Sequence, residues 1–311
     1  MHVTAMEGEM IRIGVDLGGT KIEVAALEAG GAILARRRTP TPADYDDKLL
    51  AIRDLVDAVE HEVAQQDCPV GLGHPGSLSP RTGLIRNANT TQLNGRALDR
   101  DIAQALGRPV VCANDANCFA LSEAVDGAGA GARSVFGVII GTGVGGGLVI
   151  DGRLVGGQDG NAGEWGHAGL PWPEPDEVPG PACKCGLSGC IEAWCSGPGL
   201  SADHERMTGE TLTGEQLAAH ALAGDAGAQA SLDRHASRLA RGIALIVNIT
   251  DPEVVVLGGG LSNLPALAAT IHARLAEWAF TDELTTQVAL NAHGDSSGVR
   301  GAAWLNPLAA P

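Results

Sequence analysis

Ile11-Arg12-Ile13-Gly14-Val15, then Asp16-Leu17-Gly18-Gly19-Thr20-Lys21, then Ile22-Glu23-Val24-Ala25-Ala26-Leu27, is the stretch that decides the fold of this chain. Apolar residues alternate on both sides of a glycine turn, which is the pattern of a β-hairpin. The pattern returns near the middle of the chain as Val138-Ile139-Ile140, Gly141-Thr142-Gly143-Val144-Gly145-Gly146-Gly147, then Leu148-Val149-Ile150. Residues 141–146 match G-x-G-x-x-G formally, but that fingerprint needs a helix after it, and here a strand and an Asp-Gly turn follow. Residues 14–21 approach a Walker A loop, yet end Gly-Thr-Lys and lead into a strand. What remains is a pair of glycine turns whose backbone N–H groups and threonine hydroxyls can approach phosphate oxygens. Either turn alone also reads as an ordinary tight hairpin. With Gly258-Gly259-Gly260 closing a third apolar strand, the set favours a nucleotide clamp. One strand-glycine-strand unit in each half predicts two related α/β domains around a cleft.

The segments between these units read as helices and buried strands. Leu49, Ile52, Val56, Val59 and Val63 recur at helical spacing, as do Leu98, Ile102 and Leu106, and much later Leu239, Ile243, Ile246 and Val247. Val110-Val111-Cys112-Ala113 is an apolar run leading into Asn114-Asp115. Asp115 therefore stands at a strand end, where it can serve either as a base or as the N-cap of a following helix.

His167, Cys183, Cys185 and Cys190 form the second informative cluster. The cysteines stand as Cys-X-Cys-Gly-X-X-Gly-Cys, with the histidine inside Glu164-Trp165-Gly166-His167. Three thiolates and an imidazole make a tetrahedral zinc set, and the glycines allow a short loop to fold back on one ion. The alternative is packed or disulfide-linked cysteines. Zinc is the expectation, because the triple is compact and no secretion signal accompanies it.

Bulk properties narrow the class. A net charge of −16 over 311 residues argues against nucleic acid and anionic membranes, which need a basic surface. The length favours two domains. Residues 134–150 carry no charge, but six of the seventeen are glycine, so the stretch falls short of a membrane span. Glu7 and Glu9 stand where a secretion signal needs a basic start, and Met10 is an alternative first residue. Seven cysteines, four of them outside the cluster, fit a reducing cytoplasm.

Taken together, DLGGTK at residues 16–21, ANDAN at 113–117, GTGVGGG at 141–147, EWGH at 164–167, CKCGLSGCIE at 183–192 and LGGG at 257–260 resemble the ROK sugar kinases. The resemblance runs from about Ile11 to about Leu305. It implies the actin/hexokinase-like (ribonuclease H-like) ATPase fold, with a small domain over residues 11–113 plus about 296–311. A large domain over 114–295 would carry the zinc loop. Residues 87–95 and the ending 293–305 look closest to bacterial fructokinase/mannokinase, with departures at Gln92 and His74. The implied reaction is ATP-dependent phosphorylation of a hexose, D-fructose or D-mannose, to the 6-phosphate.

The same resemblance assigns roles. Asp115 is the expected general base. Gly76, Asn89, Asn114, Glu164, His167 and Glu192 are the expected sugar contacts, with Glu192 alternatively a first-turn helix acid. Gly18, Gly19, Thr20 and Lys21 would meet the outer phosphates of ATP, Gly141, Thr142 and Gly143 would face them, and Asp16 would hold Mg²⁺. Gly259 and Gly260 would flank the adenosine. Zinc would shape the sugar pocket without taking part in chemistry, and a homodimer is the expected assembly. Competing readings are a kinase for N-acetylglucosamine, N-acetylmannosamine or glucose, and a sugar-responsive regulator or binding protein without catalysis. For a repressor, the chain ahead of Asp16 leaves no room for a DNA-binding domain.

Overall fold

The alternation along the first hairpin is realised as β1 (Arg12–Leu17) antiparallel to β2 (Lys21–Leu27), with Asp16 opposite Glu23. Ile13, Val15, Ile22 and Val24 point into the core and are fully buried, each stabilising by about 1.5–3 kcal/mol. A computed structural model describes residues 10–306. The first nine residues, the question of the start at Met10, and residues 307–311 of the expected small domain lie outside the described part.

In the first unit β3 (Ile33–Pro40) extends the hairpin, while β4 (Val70–His74) and β7 (Val110–Asn114) run parallel to β1 on its other side, giving the order β3-β2-β1-β4-β7. Helices α1 (Tyr45–Glu62) and α2 (Leu98–Leu106) lie where the spacing predicts them. A short ribbon of β5 (Ser77–Leu78) and β6 (Ile85–Arg86) follows β4, and α3 (Asp115–Val125) leaves the end of β7.

The second unit repeats the topology. β8 (Ser134–Ile140), β9 (Val144–Ile150) and β10 (Arg153–Leu154) form an antiparallel meander. β11 (Val254–Gly258) runs parallel to β8, and β12 (Gln287–Leu290) parallel to β11, giving β10-β9-β8-β11-β12. Its helices are α4 (Ile191–Cys195), α5 (Gly197–Thr208), α6 (Gly214–Leu222), α7 (Ala226–Thr250) and α8 (Leu267–Leu275). Leu239, Ile243, Ile246 and Val247 of α7 are buried in this unit's core. No described helix is long and apolar enough to cross a membrane.

The last helix, α9 (Ser297–Trp304), belongs to the first unit. It sits against β1 and β4 with backbone on backbone: a Cβ at Gly14 would lie 1.9 Å from the carbonyl oxygen of Val299, and one at Gly71 1.8 Å from that of Ala302. Helix α9 also packs on α3, where Ser297 donates to the buried Glu123 at 2.8 Å. For this reason the first unit runs to Asp126 rather than ending at residue 113, and residues 114–126 do not go with the large domain. Residues 156–161 join it too, because Arg86 donates to the carbonyl of Asp159 and to Asn161 Oδ1.

A second difference concerns the middle glycines. Residues 145–147 are not loop, since β9 resumes at Val144 and pairs through Gly145, Gly146 and Gly147 with Ile139, Val138 and Gly137. The turn itself is only residues 141–143.

Buried charge holds an outer segment of the second unit to α7. Glu177 accepts from Arg238 Nε at 2.7 Å and from Arg241 at 2.8 and 2.9 Å, while Asp203 accepts from Arg238 at 3.0 Å. Burial raises the Glu177 carboxyl, but the two guanidinium groups outweigh it and hold the group down at about 2 from an ordinary 4.5. A carboxyl held low in the fold adds stability that is fully present above the ordinary value and lost as the pH falls towards 2. Denaturant unfolding should therefore show stability falling by on the order of 3 kcal/mol between pH 4.5 and 2 from this group, and Glu177→Gln should flatten that part of the profile.

Candidate functional site

Four of the predicted residues in the first unit are brought together at the C-terminal ends of β4 and β7. Asn114 ends β7 and caps α3, its Oδ1 accepting from Ala116 N–H at 2.9 Å, while its Nδ2 donates to the carbonyl of Gly76 at 2.8 Å. The cap that was the alternative role of Asp115 is thus filled by Asn114. Asp115 occupies the first helical position and also accepts from Ala116 N–H, at 2.8 Å. Gly76 has φ +78°, and a Cβ there would lie 2.5 Å from the carbonyl oxygen of Arg86, so the turn lies flat on the segment entering Asn89. Asn94 clamps that segment through both the N–H and the carbonyl of Ala88. Asn89 itself is exposed.

Asp16 is the penultimate residue of β1, the strand parallel to β4 on its other side. Burial and the nearby carboxylates of Asp115 and Glu23 push its carboxyl up to about 7, against the pull of Lys21 and Arg38. The glycine turn after it is pinned from both ends: Gly18 N–H donates to the carbonyl of Lys21 at 3.0 Å, and the Thr41 hydroxyl donates to that of Gly18 at 2.8 Å. Gly19 and Thr20 are exposed at the tip. Beneath them Glu23 is fully buried, accepting from Arg36 and Arg38, each at 2.6 Å, with Lys21 Nζ 3.6 Å away. The role of Glu23 is not apparent in the motif. Its position opposite Asp16 in the hairpin register was the available signal.

In the second unit, the turn at 141–143 is closed by Gly141 N–H donating to the carbonyl of Gly143 at 2.9 Å, and Thr142 stands exposed at its tip. Gly259, at φ +83°, packs its backbone on the end of β8, where a Cβ would meet the Ile140 carbonyl at 2.5 Å. Gly259 therefore lies beside Ile140, where the turn begins. Glu192 lies in the first turn of α4, as its helix-acid reading expects, and it also reaches the same turn. Its Oε2 accepts from Val144 N–H at 3.0 Å and its Oε1 is 3.0 Å from Lys184 Nζ.

Glu164 and His167 are placed by the segment between them. Trp165 is buried, its Nε1–H donates to the carbonyl of Gly145 at 2.9 Å, and its ring meets Phe136 edge-on. The flanking backbone packs directly on β9: a Cβ at Gly163 would lie 2.3 Å from the carbonyl of Gly146. The middle glycines thus admit the EWGH segment.

The four expected metal ligands meet. One donor atom from each of His167, Cys183, Cys185 and Cys190 lies within 4.8 Å of the others. Cys183 Sγ is 3.5 Å from His167 Nδ1, and Cys185 Sγ is 3.6 Å from Cys190 Sγ. A tetrahedral zinc with bonds of about 2.3 Å to sulfur needs ligand separations of roughly 3.7 Å, so the set fits that ion. The loop is folded by its own backbone, with Cys183 N–H donating to Leu187 and Leu170 N–H to Gly189, both at 2.8 Å. None of the seven cysteines is in a disulfide.

Comparison with known proteins bears on the chain as a whole. The pattern of the ROK family matches residues 12–308. An N-acetyl-D-glucosamine kinase of Pectobacterium atrosepticum is 39% identical over 298 residues, covering 94% of this chain and 98% of that protein. The enzyme of the same name from Photobacterium profundum has the same identity and coverage. Among solved structures, a ROK hexokinase from Thermus thermophilus has a TM-score of 0.86 at 33% identity, covering 95% of this chain and 97% of that one. A ROK family glucokinase from Streptomyces griseus, in complex with glucose and AMPPNP, has a TM-score of 0.77 at 29% identity, covering 95% and 98%. With the strand order repeated in both units, the fold is actin/hexokinase-like.

Asn114 joins the end of β7, the start of α3 and the Gly76 turn with a single side chain. Asn114→Ala should cost about 1–2 kcal/mol in urea unfolding, whereas Asn114→Asp, which keeps the cap and loses only the donor to Gly76, should cost less.

Proposed function

The chain belongs to the ROK family, and from that premise we propose that it is a sugar kinase transferring the γ-phosphoryl group of ATP to a hydroxyl of N-acetyl-D-glucosamine. The observation that carries this reading is the likeness to N-acetyl-D-glucosamine kinases along nearly the whole of both chains. It moves the substrate away from the fructose or mannose suggested by residues 87–95 and 293–305, which are short segments beside a match of that length. The glucose-bound relative favours glucose as the second reading.

Phosphoryl transfer asks for a positioned nucleophile, a base beside it and neutralised phosphate charge. Asp115 is assigned the proton of the attacking hydroxyl. It stands at a strand end, next to a residue whose side chain is already committed to capping α3. Gly76, Asn89 and Asn114, with Glu164, His167 and Glu192, are assigned to the sugar on the strength of their motifs. Gly18, Gly19, Thr20 and Lys21, and Gly141, Thr142 and Gly143, are assigned to the phosphates, and Gly259 and Gly260 to the adenosine. Asp16 is the residue to hold Mg²⁺, whose charge would offset that of the phosphates and relieve the crowding of Asp16 by Asp115 and Glu23.

Zinc is assigned to His167, Cys183, Cys185 and Cys190. His167 Nδ1 is the nitrogen turned to the thiols, which leaves Nε2 for a sugar hydroxyl. Burial and the neighbouring thiols push the Cys190 thiol up, so a divalent cation is what would make the full thiolate set affordable in free energy.

Coupled ADP release with Mg-ATP should give turnover on N-acetyl-D-glucosamine above glucose, N-acetylmannosamine, fructose and mannose. Asp115→Asn should lower kcat by roughly 10²–10⁴-fold. Turnover confined to glucose would change the substrate and keep the mechanism; binding without turnover on any sugar would make the chain a sugar-binding protein instead. Elemental analysis should find one zinc per chain, lost in Cys185→Ser, and chelation should raise KM for the sugar more than KM for ATP.

A further inference from the structure

Lys184 lies between two of the metal ligands, Cys183 and Cys185, and nothing in the proposed reaction assigns it a role. Its ammonium is 3.0 Å from Glu192 Oε1. The other oxygen of the same carboxylate accepts from Val144 N–H at 3.0 Å, immediately after the turn at 141–143. A Cβ at Gly143 would stand 2.6 Å from that oxygen, so the carboxylate lies against the turn itself. Gly141 is fixed from the other end, its carbonyl accepting from Gly197 N–H at 2.7 Å at the start of α5. Glu192 is also two residues from Cys190, which is the N-cap of α4.

The carboxylate is therefore gripped twice by the cysteine loop, once through the chain from Cys190 and once by the Lys184 ammonium. We propose that Lys184 is a positioning residue: it fixes the Glu192 carboxylate so that Oε2 stays on Val144 N–H and holds the shape of the 141–143 turn. The order of the cysteine loop reaches the turn by this route. On the function proposed above, the turn faces phosphate and Glu192 faces sugar, so the consequence for catalysis rests on that reading. The structural coupling does not.

The magnitude follows from exposure. Lys184 is half exposed while Glu192 is nearly buried, so solvent weakens the pair without abolishing it. Its loss should loosen the carboxylate rather than unfold the loop. A charged partner on Oε1 also restricts the rotamer, which a neutral chain of similar length cannot do.

The test compares the full-length protein with Lys184→Met and Lys184→Arg. The first readout is hydrogen exchange at the Val144 amide, followed by NMR, with metal content measured on the same samples. Lys184→Met should keep its zinc and speed exchange at Val144 roughly three- to fivefold, with Lys184→Arg close to wild type. Turnover assays should show KM for sugar and for ATP rising by a similar factor in Lys184→Met, with kcat changed less. Unaltered exchange at Val144 in a zinc-replete Lys184→Met protein would overturn the inference. So would loss of zinc in that variant, because Lys184 would then act on the loop's metal and not on the carboxylate. If wild type phosphorylates no sugar and the exchange effect is present, the proposed function fails and the coupling stands.

Discussion

Each unit depends on a place where backbone lies directly on backbone. In the first, α9 approaches β1 and β4 so closely that Gly14 and Gly71 leave no room for a Cβ. In the second, the segment from Gly163 to Gly166 lies on β9, and its anchor is Trp165 hydrogen-bonded to the Gly145 carbonyl. Close-packed interiors do not absorb an added methyl without shifting a neighbour, and when the neighbour is backbone the shift moves a whole element. What each contact positions differs between the units. Helix α9 carries Gly298 to the carboxylate of Asp16, whereas the Gly163–Gly166 contact carries Glu164 and His167. In both, a glycine contact sets where a candidate site residue ends up.

Buried charge divides into two kinds. Glu177 and Asp203 meet Arg238 and Arg241 at hydrogen-bonding distance with most donors matched, and their effect is to fix both the segment around Glu177 and α5 to α7. Glu23 is different. It collects Arg36, Arg38 and Lys21 directly opposite Asp16, so it pulls positive charge towards a carboxylate that burial has already made reluctant to ionise. A purely structural carboxylate has no need of a second carboxylate across the strand pair, since like charges there are destabilising. Arg36, Arg38 and Lys21 around Glu23 offset part of that repulsion.

The hairpins, the amphipathic helices and the cysteine–histidine set were legible in the sequence because each has a local period or spacing. Asp16, Glu23 and the turn between them sit in register as alternation requires. Two features were not legible, for one reason: their causes are distant in the chain. Gly145, Gly146 and Gly147 look like loop because residues without side chains show no alternation, and the partner that needs them, Trp165, comes later. Residues 115–125 look like the start of a second domain until α9 arrives from the far end of the chain and packs on them. His74, one of the two departures within the resemblance, proves to be buried, its Nδ1 on the Pro75 carbonyl. Burial holds it in the neutral form, and with Nδ1 as the donor the unmatched Nε2 is a lone pair, the cheaper group to bury alone.

Glu192 shows why motif spacing alone understates a site. Read as a motif position, it is one sugar contact among several. In the fold its two oxygens have different partners, an ammonium from the cysteine loop and an amide from the edge of the glycine turn. An ionised carboxylate offers about four lone-pair sites, so these two bonds leave capacity for a hydroxyl while restricting the direction from which it is approached. Selectivity among hexoses that differ at one carbon depends on such direction more than on strength, because a polar group held rigid rejects a misplaced hydroxyl that a mobile one would follow. A loop ordered by its own backbone bonds, with Lys184 projecting from it, is a firm support for that carboxylate.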